Sequence, residues 1–185
     1  MKEAAISEVI PDSALDDFEG LVARYRPRIF RFALASLRNK ESAENLTQDC
    51  FVRAHKARGR FRGDCSLQSW LMQIAVNLIR DAARSRRYQF WRRAEGSAVM
   101  VDAAGQWLPD GGTTPEARLS AVQQVAEIWK LADRLSPNQR TVFLLHFMEE
   151  MDADEIAAAT GIGKATIKVH LFRAVRSVRE QLRKK

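Results

Sequence analysis

Glycine and proline are scarce in this chain, nine and five in 185 residues, and their densest cluster falls in one stretch, 95–115. That argues against a strand-and-turn protein and for helices with one real interruption. There are only two cysteines, Cys50 and Cys65, and no CxxC pair. The histidines, His55, His146 and His170, are scattered. Metal-ligand spacing is therefore missing, and no metal site or other cofactor is expected. Neither a phosphate-binding glycine loop nor a nucleophile–base constellation can be picked out, which argues against an enzyme. No apolar run approaches the length of a membrane span. Met1 to Asp17 lacks the apolar core with basic flank of a signal peptide, so the expected compartment is the cytoplasm.

What the chain does have is globular composition and positive charge: 46% hydrophobic residues, 29% charged, and a net charge of +7. A basic balance suits a polyanionic partner, nucleic acid or an anionic membrane, and the position of the charges must decide between them.

Hydrophobic periodicity organises the rest. Residues 1–17 show no clear period and read as a flexible lead-in. Phe18, Leu21, Val22, Tyr25, Ile29, Ala33 and Leu37 recur at steps of three and four, the mark of a helix with one buried face. Pro27 predicts a break or kink near Arg26. A second helix is expected from about Glu41 to Ala57, burying Ala43, Leu46, Cys50, Phe51 and Ala54, with acidic residues in its first turn. A loop from Gly59 to Cys65 leads to Ser66, which suits an N-cap. The third helix carries Leu67, Trp70, Leu71, Ile74, Ala75, Leu78, Ile79 and Ala82 and ends in a basic run: Arg80, Arg84, Arg86, Arg87, then Arg92 and Arg93. Periodicity dissolves over 95–115, read as an interdomain linker. Helices resume near Glu116, with Leu119, Val122, Ala126 and Trp129 on one face. Ser136-Pro137-Asn138-Gln139 and Asp152-Ala153-Asp154-Glu155 are helix-start signals with capping boxes.

The last third carries a helix-turn-helix pattern beginning at Ala153. Ile156 is apolar, and Ala157 is small where two helices cross. Gly161 falls at the turn that needs positive φ, Ile162 plugs that turn, and Ile167 faces back to the first helix. The second helix is expected from Lys164 to Leu182, with a core stripe of Ile167, Leu171, Ala174, Val175, Val178 and Leu182. Lys164, Thr166, Lys168, Val169, Phe172, Arg173 and Arg176 are left for solvent or DNA. In such motifs this helix lies in the major groove. Its basic residues can pair with guanine, and apolar side chains such as Val169 and Phe172 can touch thymine methyls. A plain solvated basic face is the bland alternative, with Phe172 tucked onto a neighbouring helix. The Thr166-Ile167-Lys168-Val169-His170-Leu171 string is also similar to the DNA-binding domain of LuxR-type regulators.

The N-terminal half separates these readings. Leu46-Thr47-Gln48-Asp49-Cys50-Phe51-Val52-Arg53-Ala54 resembles the conserved region-two core of ECF sigma factors of bacterial RNA polymerase. Phe61-Arg62-Gly63-Asp64, Trp70-Leu71 and Ile74-Ala75-Val76-Asn77 continue the match in order. Leu135-Ser136-Pro137, Glu155-Ile156-Ala157 and Leu171-Phe172-Arg173-Ala174 resemble region four. The resemblance implies an all-α chain of two small helical domains joined by a flexible linker. Residues 18–94 would be region two, 95–115 the linker and 116–185 region four.

Its functional implications can be placed residue by residue. Gln48, Asp49 and Arg53 occupy positions that dock on the polymerase core. Phe61, Gly63, Asp64, Ser66 and Asn77 match the part that opens the promoter −10 element, with Arg80, Arg84, Arg86 and Arg87 holding the backbone. Unstacking a base costs a few kcal/mol, which stacking on an aromatic can repay. The alternative for Phe61 is a core residue that closes the loop, and Trp70 reads as core. Lys164, Thr166, Lys168, Val169, His170, Phe172, Arg173 and Arg176 match the surface that reads the −35 element. Many relatives carry arginine or serine where this chain has Lys168, Val169 and His170, so their preferred −35 sequence does not carry over. The implied partners are RNA polymerase core, promoter DNA and an anti-sigma factor. A conventional two-domain regulator of LuxR type and an RNA-binding helical module are the competing readings.

Overall fold

The computed structural model describes residues 17–84, 125, 128, 130–132 and 134–183, and among these it is helical with no strand. Helix α1 spans Phe18–Leu37 and α2 Lys40–Ala57. A 3₁₀ turn, Arg58–Arg60, follows, and α3 spans Leu67–Arg84. After the helical residues 125, 128 and 130–132 come α4 (Pro137–Met148), α5 (Ala153–Thr160) and α6 (Lys164–Leu182). The lead-in up to residue 16, the linker at 95–115, Arg86, Arg87, Arg92 and Arg93 lie outside the described residues, as do Leu119, Val122, Ala126 and Trp129.

Local chemistry sets the helix ends. Asp17 caps α1 through the Gly20 amide at 2.9 Å, and Asn39 caps α2 through Ser42. Ser66 accepts from the Ser69 amide at 3.1 Å at the start of α3. Ser136/Gln139 and Asp152/Glu155 both close capping boxes, and Pro137 stands at the first position of α4. Each cap satisfies amides that the helix itself leaves bare, typically contributing about 1 kcal/mol.

Of the break or kink expected in α1, the break is absent. The helix does not break at Pro27; it is continuous from Phe18 to Leu37. An internal proline costs roughly 3 kcal/mol of helix stability. Here Leu21 and Ile29, buried on either side of it, anchor both halves in one core and outweigh that cost.

In the N-terminal unit α1, α2 and α3 pack on one another, and in the C-terminal unit α4 and α5 both pack on α6. The expected stripe of α2 is buried throughout, with Thr47 beside it donating to the Ala43 carbonyl at 2.7 Å. Cys50 is fully buried, its Sγ 3.6 Å from the Leu71 carbonyl, and burial pushes its thiol up to about 12 despite nearby Arg53. In α6, Ile167, Ala174 and Val178 are buried, but Leu182, expected in the core, is 45% exposed. It is the last residue of the helix, and none of the described elements covers it there.

The two units also touch. α1 packs on α4, and α3 packs on α5. Residues Phe32 to Leu37 of α1 are buried on every side, as expected of a helix enclosed by neighbours all round.

Candidate nucleic-acid interface

The turn between α5 and α6 is built on Gly161, whose φ is 70°. Its amide donates to the Ala157 carbonyl at 2.9 Å, ending α5 in the left-handed cap that glycine adopts at least cost. Thr160 closes the turn by accepting from the Ile162 amide at 3.2 Å. Ile156 and Ile167, each 1% exposed, fix the crossing of α5 and α6 from inside.

That packing turns one face of α6 outward. Lys164, Thr166, Lys168, Val169, Phe172, Arg173 and Arg176 are all exposed, Phe172 to 68%. Phe172 is therefore not tucked onto a neighbouring helix. An aromatic side chain this open on a basic helix face suits contact with bases or sugars. Two basic residues are partnered within the protein: Lys164 pairs with Asp154 at 2.6 Å and Arg176 with Glu180 at 2.8 Å. Both pairs are exposed, so their ammonium and guanidinium groups can be drawn to phosphate at little cost. His170 is half-buried, with its Nδ1 buried and unpartnered in the protein.

A second surface surrounds the loop before α3. Gly63 has φ 74° with open space around it, and its neighbours Arg62 and Asp64 are exposed and 3.5 Å apart. Phe61 is half-buried, its ring 5.0 Å from that of Trp70 at the start of α3. The structure thus seats Phe61 against the core edge, with part of its ring still facing out. The Ser66 hydroxyl is engaged with Ser69, through both its amide and its Oγ, so it shapes the loop. Further along α3, Asn77 and Arg84 are exposed, while Arg80 is half-buried and donates to the Thr160 carbonyl at 2.9 Å.

The third surface is the outer face of α2. Gln48, Asp49 and Arg53 are all exposed. An open groove of about 620 Å³ runs between α1 and α2; Gln48, Phe51, Val52 and His55 line it from α2, and Phe18 and Val22 from α1. Gln48 belongs to this groove, whereas Asp49 and Arg53 lie off its edge. Val52, 45% exposed, is an apolar member that polarity alone does not single out. Its signal in the sequence is a hydrophobe out of phase with the buried stripe.

A helix-turn-helix with an open basic face, beside a second helical unit with its own polar loop, marks the class of helix-turn-helix DNA-binding proteins. Comparison with known proteins narrows the class. The family described as Sigma-70 region 2 matches residues 21–88, and Sigma-70, region 4 matches residues 126–178. The RNA polymerase sigma factor CarQ of Myxococcus xanthus is 33% identical over 174 residues, covering 92% of each chain. The ECF RNA polymerase sigma factor SigW of Bacillus subtilis is 26% identical, covering 91% of this chain and 90% of its own. The fold is shared with the sigma factor RpoE, solved in complex with the anti-sigma factor NepR from Bartonella quintana. That match has a TM-score of 0.69 at 22% identity, over 91% of this chain and 98% of the other.

The chain belongs to the sigma-70 family of RNA polymerase sigma factors, in its ECF subfamily. It directs promoter-specific transcription, and the reading as a LuxR-type regulator is not favoured, because region 2 occupies the N-terminal half. No described helix is long and apolar enough to cross a membrane.

Proposed function

We propose that this sigma factor works through three surfaces. The reading face of α6 contacts the −35 element, with Lys168, Val169, Phe172 and Arg173 on base edges and Lys164, Thr166, His170 and Arg176 at its rim. The loop at Phe61, Gly63 and Asp64, shaped by Ser66, holds an unstacked base of the −10 element. Asn77, Arg80 and Arg84 follow the same strand, and Arg86 and Arg87 extend that basic run in the sequence. Gln48 and Val52 in the α2 groove, with the exposed Asp49 and Arg53 beside it, dock on the polymerase core. Domain limits of 18–94 and 116–185 around a linker at 95–115 belong to the same reading.

The observation that carries it is the exposure of Val169 and Phe172 between lysines and arginines on one face of α6. Phosphate contacts position a protein on DNA, and base contacts specify the sequence. Apolar side chains at this place point to thymine methyls as part of the code. Two weak contacts become strong when one chain carries both, because the second is then intramolecular. An anti-sigma factor is a fitting regulator, since the matched RpoE and CnrH were each solved with a partner, NepR and the cytosolic domain of CnrY. The protein acts without catalysis of its own, in the cytoplasm and at the nucleoid when bound to polymerase.

The test is transcription in vitro from fragmented host DNA with sigma-free polymerase core and the purified chain, reading transcript 5′ ends. Discrete starts with shared sequences at two fixed upstream distances are expected. Protection of a palindrome by the chain alone, without specific starts, would overturn the reading.

A further inference from the structure

The groove between α1 and α2 has an apolar floor that the described residues leave open. Phe18 and Val22 of α1 and Phe51 and Val52 of α2 line it. Phe51 is buried, but Phe18 and Val22 are only half-buried and Val52 is exposed. Apolar surface of this kind gains by being covered. Charge around the floor is uneven. Arg26 and Lys56 line the groove against one acid, Glu44. Arg58 adds a further cation at one end, where its guanidinium meets the His55 ring.

The chain enters the fold at that same end. Only Arg38 and Asn39 join α1 to α2, so the two helices run antiparallel. Phe18, the first residue of α1, therefore lies against the last turn of α2, its ring 4.9 Å from that of His55. Asp17 turns the backbone out of the helix, with φ −89° and ψ 70°, while its side chain caps the Gly20 amide.

The sixteen residues before this point have a composition opposite to the rim and matched to the floor. They carry Glu3, Glu8, Asp12 and Asp16 against Lys2, and the apolar group Ile6, Val9 and Ile10. Reach is sufficient. Residues 10–16 span up to about 23 Å when extended. Along α1, Phe18 to Arg26 covers only about 12 Å, at about 1.5 Å per residue. Ile10 and its neighbours can therefore return over Val22 and Val52.

We propose that residues 6–16 fold back into the α1–α2 groove and cover the surface that docks on the polymerase core. Ile6, Val9 and Ile10 lie on the apolar floor, and the acids face Arg26, Lys56 and Arg58. The contact needs little intrinsic strength, because a short tether supplies an effective concentration in the millimolar range. A segment that alone binds at about 0.1 mM would keep the groove about 90% filled and weaken core binding about tenfold. Polymerase core, offering a larger surface, displaces the segment, so the groove favours a partner that presents a full docking site over weak apolar contacts.

The regulatory half of this inference rests on the proposed docking of α2 on polymerase; the seating of the segment does not. Seating is tested on the full chain carrying a photo-crosslinking phenylalanine derivative at position 10, with the crosslinked peptides mapped by mass spectrometry. An equal mixture of light and isotope-heavy chain separates contact within one chain from contact between copies. Crosslinks within one chain to the peptide holding Gln48 to Val52 are expected. Crosslinks elsewhere, none at all, or crosslinks between copies would overturn the seating. Core-polymerase affinity is then compared for wild type, the double variant Ile6→Asp with Ile10→Asp, and Val52→Asp, with circular dichroism checking that helix content is kept. About tenfold tighter binding by the double variant is expected, and weaker binding by Val52→Asp. Equal affinity of the double variant and wild type would overturn the regulatory role. Unchanged binding by Val52→Asp would place polymerase elsewhere and overturn that role through the docking reading, while the crosslink still decides the seating.

Discussion

The turn at Gly161 sets the angle between α5 and α6, and the cost of changing it can be worked out from its surroundings. Its φ of 70° lies in the left-handed region, and a Cβ built there meets nothing within 4 Å. Gly161→Ala therefore creates no clash, and the penalty is purely one of backbone. An L-residue in this region costs about 1–2 kcal/mol. Losing glycine's extra freedom in the unfolded chain returns about 0.4–1 kcal/mol. The expected net loss is about 1 kcal/mol, read as a lower urea midpoint with an unchanged slope. Gly161→Asn should cost less, since asparagine visits this region readily, and Gly161→Val should cost more because it is β-branched. At temperatures where all three remain folded, affinity for −35 DNA should stay within about twofold, because the side chain points into open space. Two results would refute the reasoning: equal losses for Ala, Asn and Val, or a loss above about 3 kcal/mol for Ala, which would mean an undetected close contact.

Arg173→Ala removes an exposed member of the reading face, and it should weaken transcription from −35-dependent promoters about tenfold, in line with about 1–3 kcal/mol for a base contact. A pull-down of polymerase core should be unchanged; equal loss in both assays would remove Arg173 from the DNA surface. Cys50 and Cys65 should differ in alkylation of the native protein. Cys50 is fully buried with its thiol pushed up to about 12, whereas Cys65 is partly exposed and raised only by partial burial and neighbouring Asp64, so Cys65 should be labelled first by mass spectrometry. Burial pushes the Glu149 carboxyl from its ordinary 4.5 up to about 7, with Glu150 adding to the rise and Arg28 and Arg31 opposing it. With α4 packed on α1, Glu149 thus holds its proton more tightly than it would in solvent. The packing of α1 on α4 should strengthen as pH falls through 7 and weaken as it rises above; small-angle scattering of the full chain at about pH 6 and 8.5 checks this, and Glu149→Gln should stay compact at both.

The helix starts were legible because their chemistry is local. Ser136, Pro137 and Gln139 stand within four positions of one another, as do Asp152 and Glu155, and the structure closes a capping box at each. The span of α6, Lys164–Leu182, was likewise readable from one apolar stripe and one glycine. Pro27 does not break its helix because its cost is local while the packing that outweighs it, at Leu21 and Ile29, is tertiary. Met72 and Val76 were missed for a related reason. Periodicity reports the strongest single face of a helix, and α3 has two, one toward its own unit and one toward α5. Val52 in the α2 groove is not marked by polarity, since an exposed hydrophobe on an outward face carries no polar signal.

These misses share a physical cause that also bears on promoter search. A residue that serves a permanent core obeys one helical period. A residue that serves a contact made in one state and broken in another must be apolar enough to bury and polar enough to survive exposure. The face of α3 that packs on α5 has that mixed character. Met72 and Val76 supply modest apolar area, flanked by Gln68 and Arg80, whose amide and guanidinium groups are at ease in water once released. Arg80 bonds a neutral carbonyl when the units are closed, and an arginine gains more from a phosphate, where its hydrogen bonds are charge-assisted. On the −10 contact proposed for Arg80, backbone phosphate would therefore compete with the Thr160 carbonyl for this side chain.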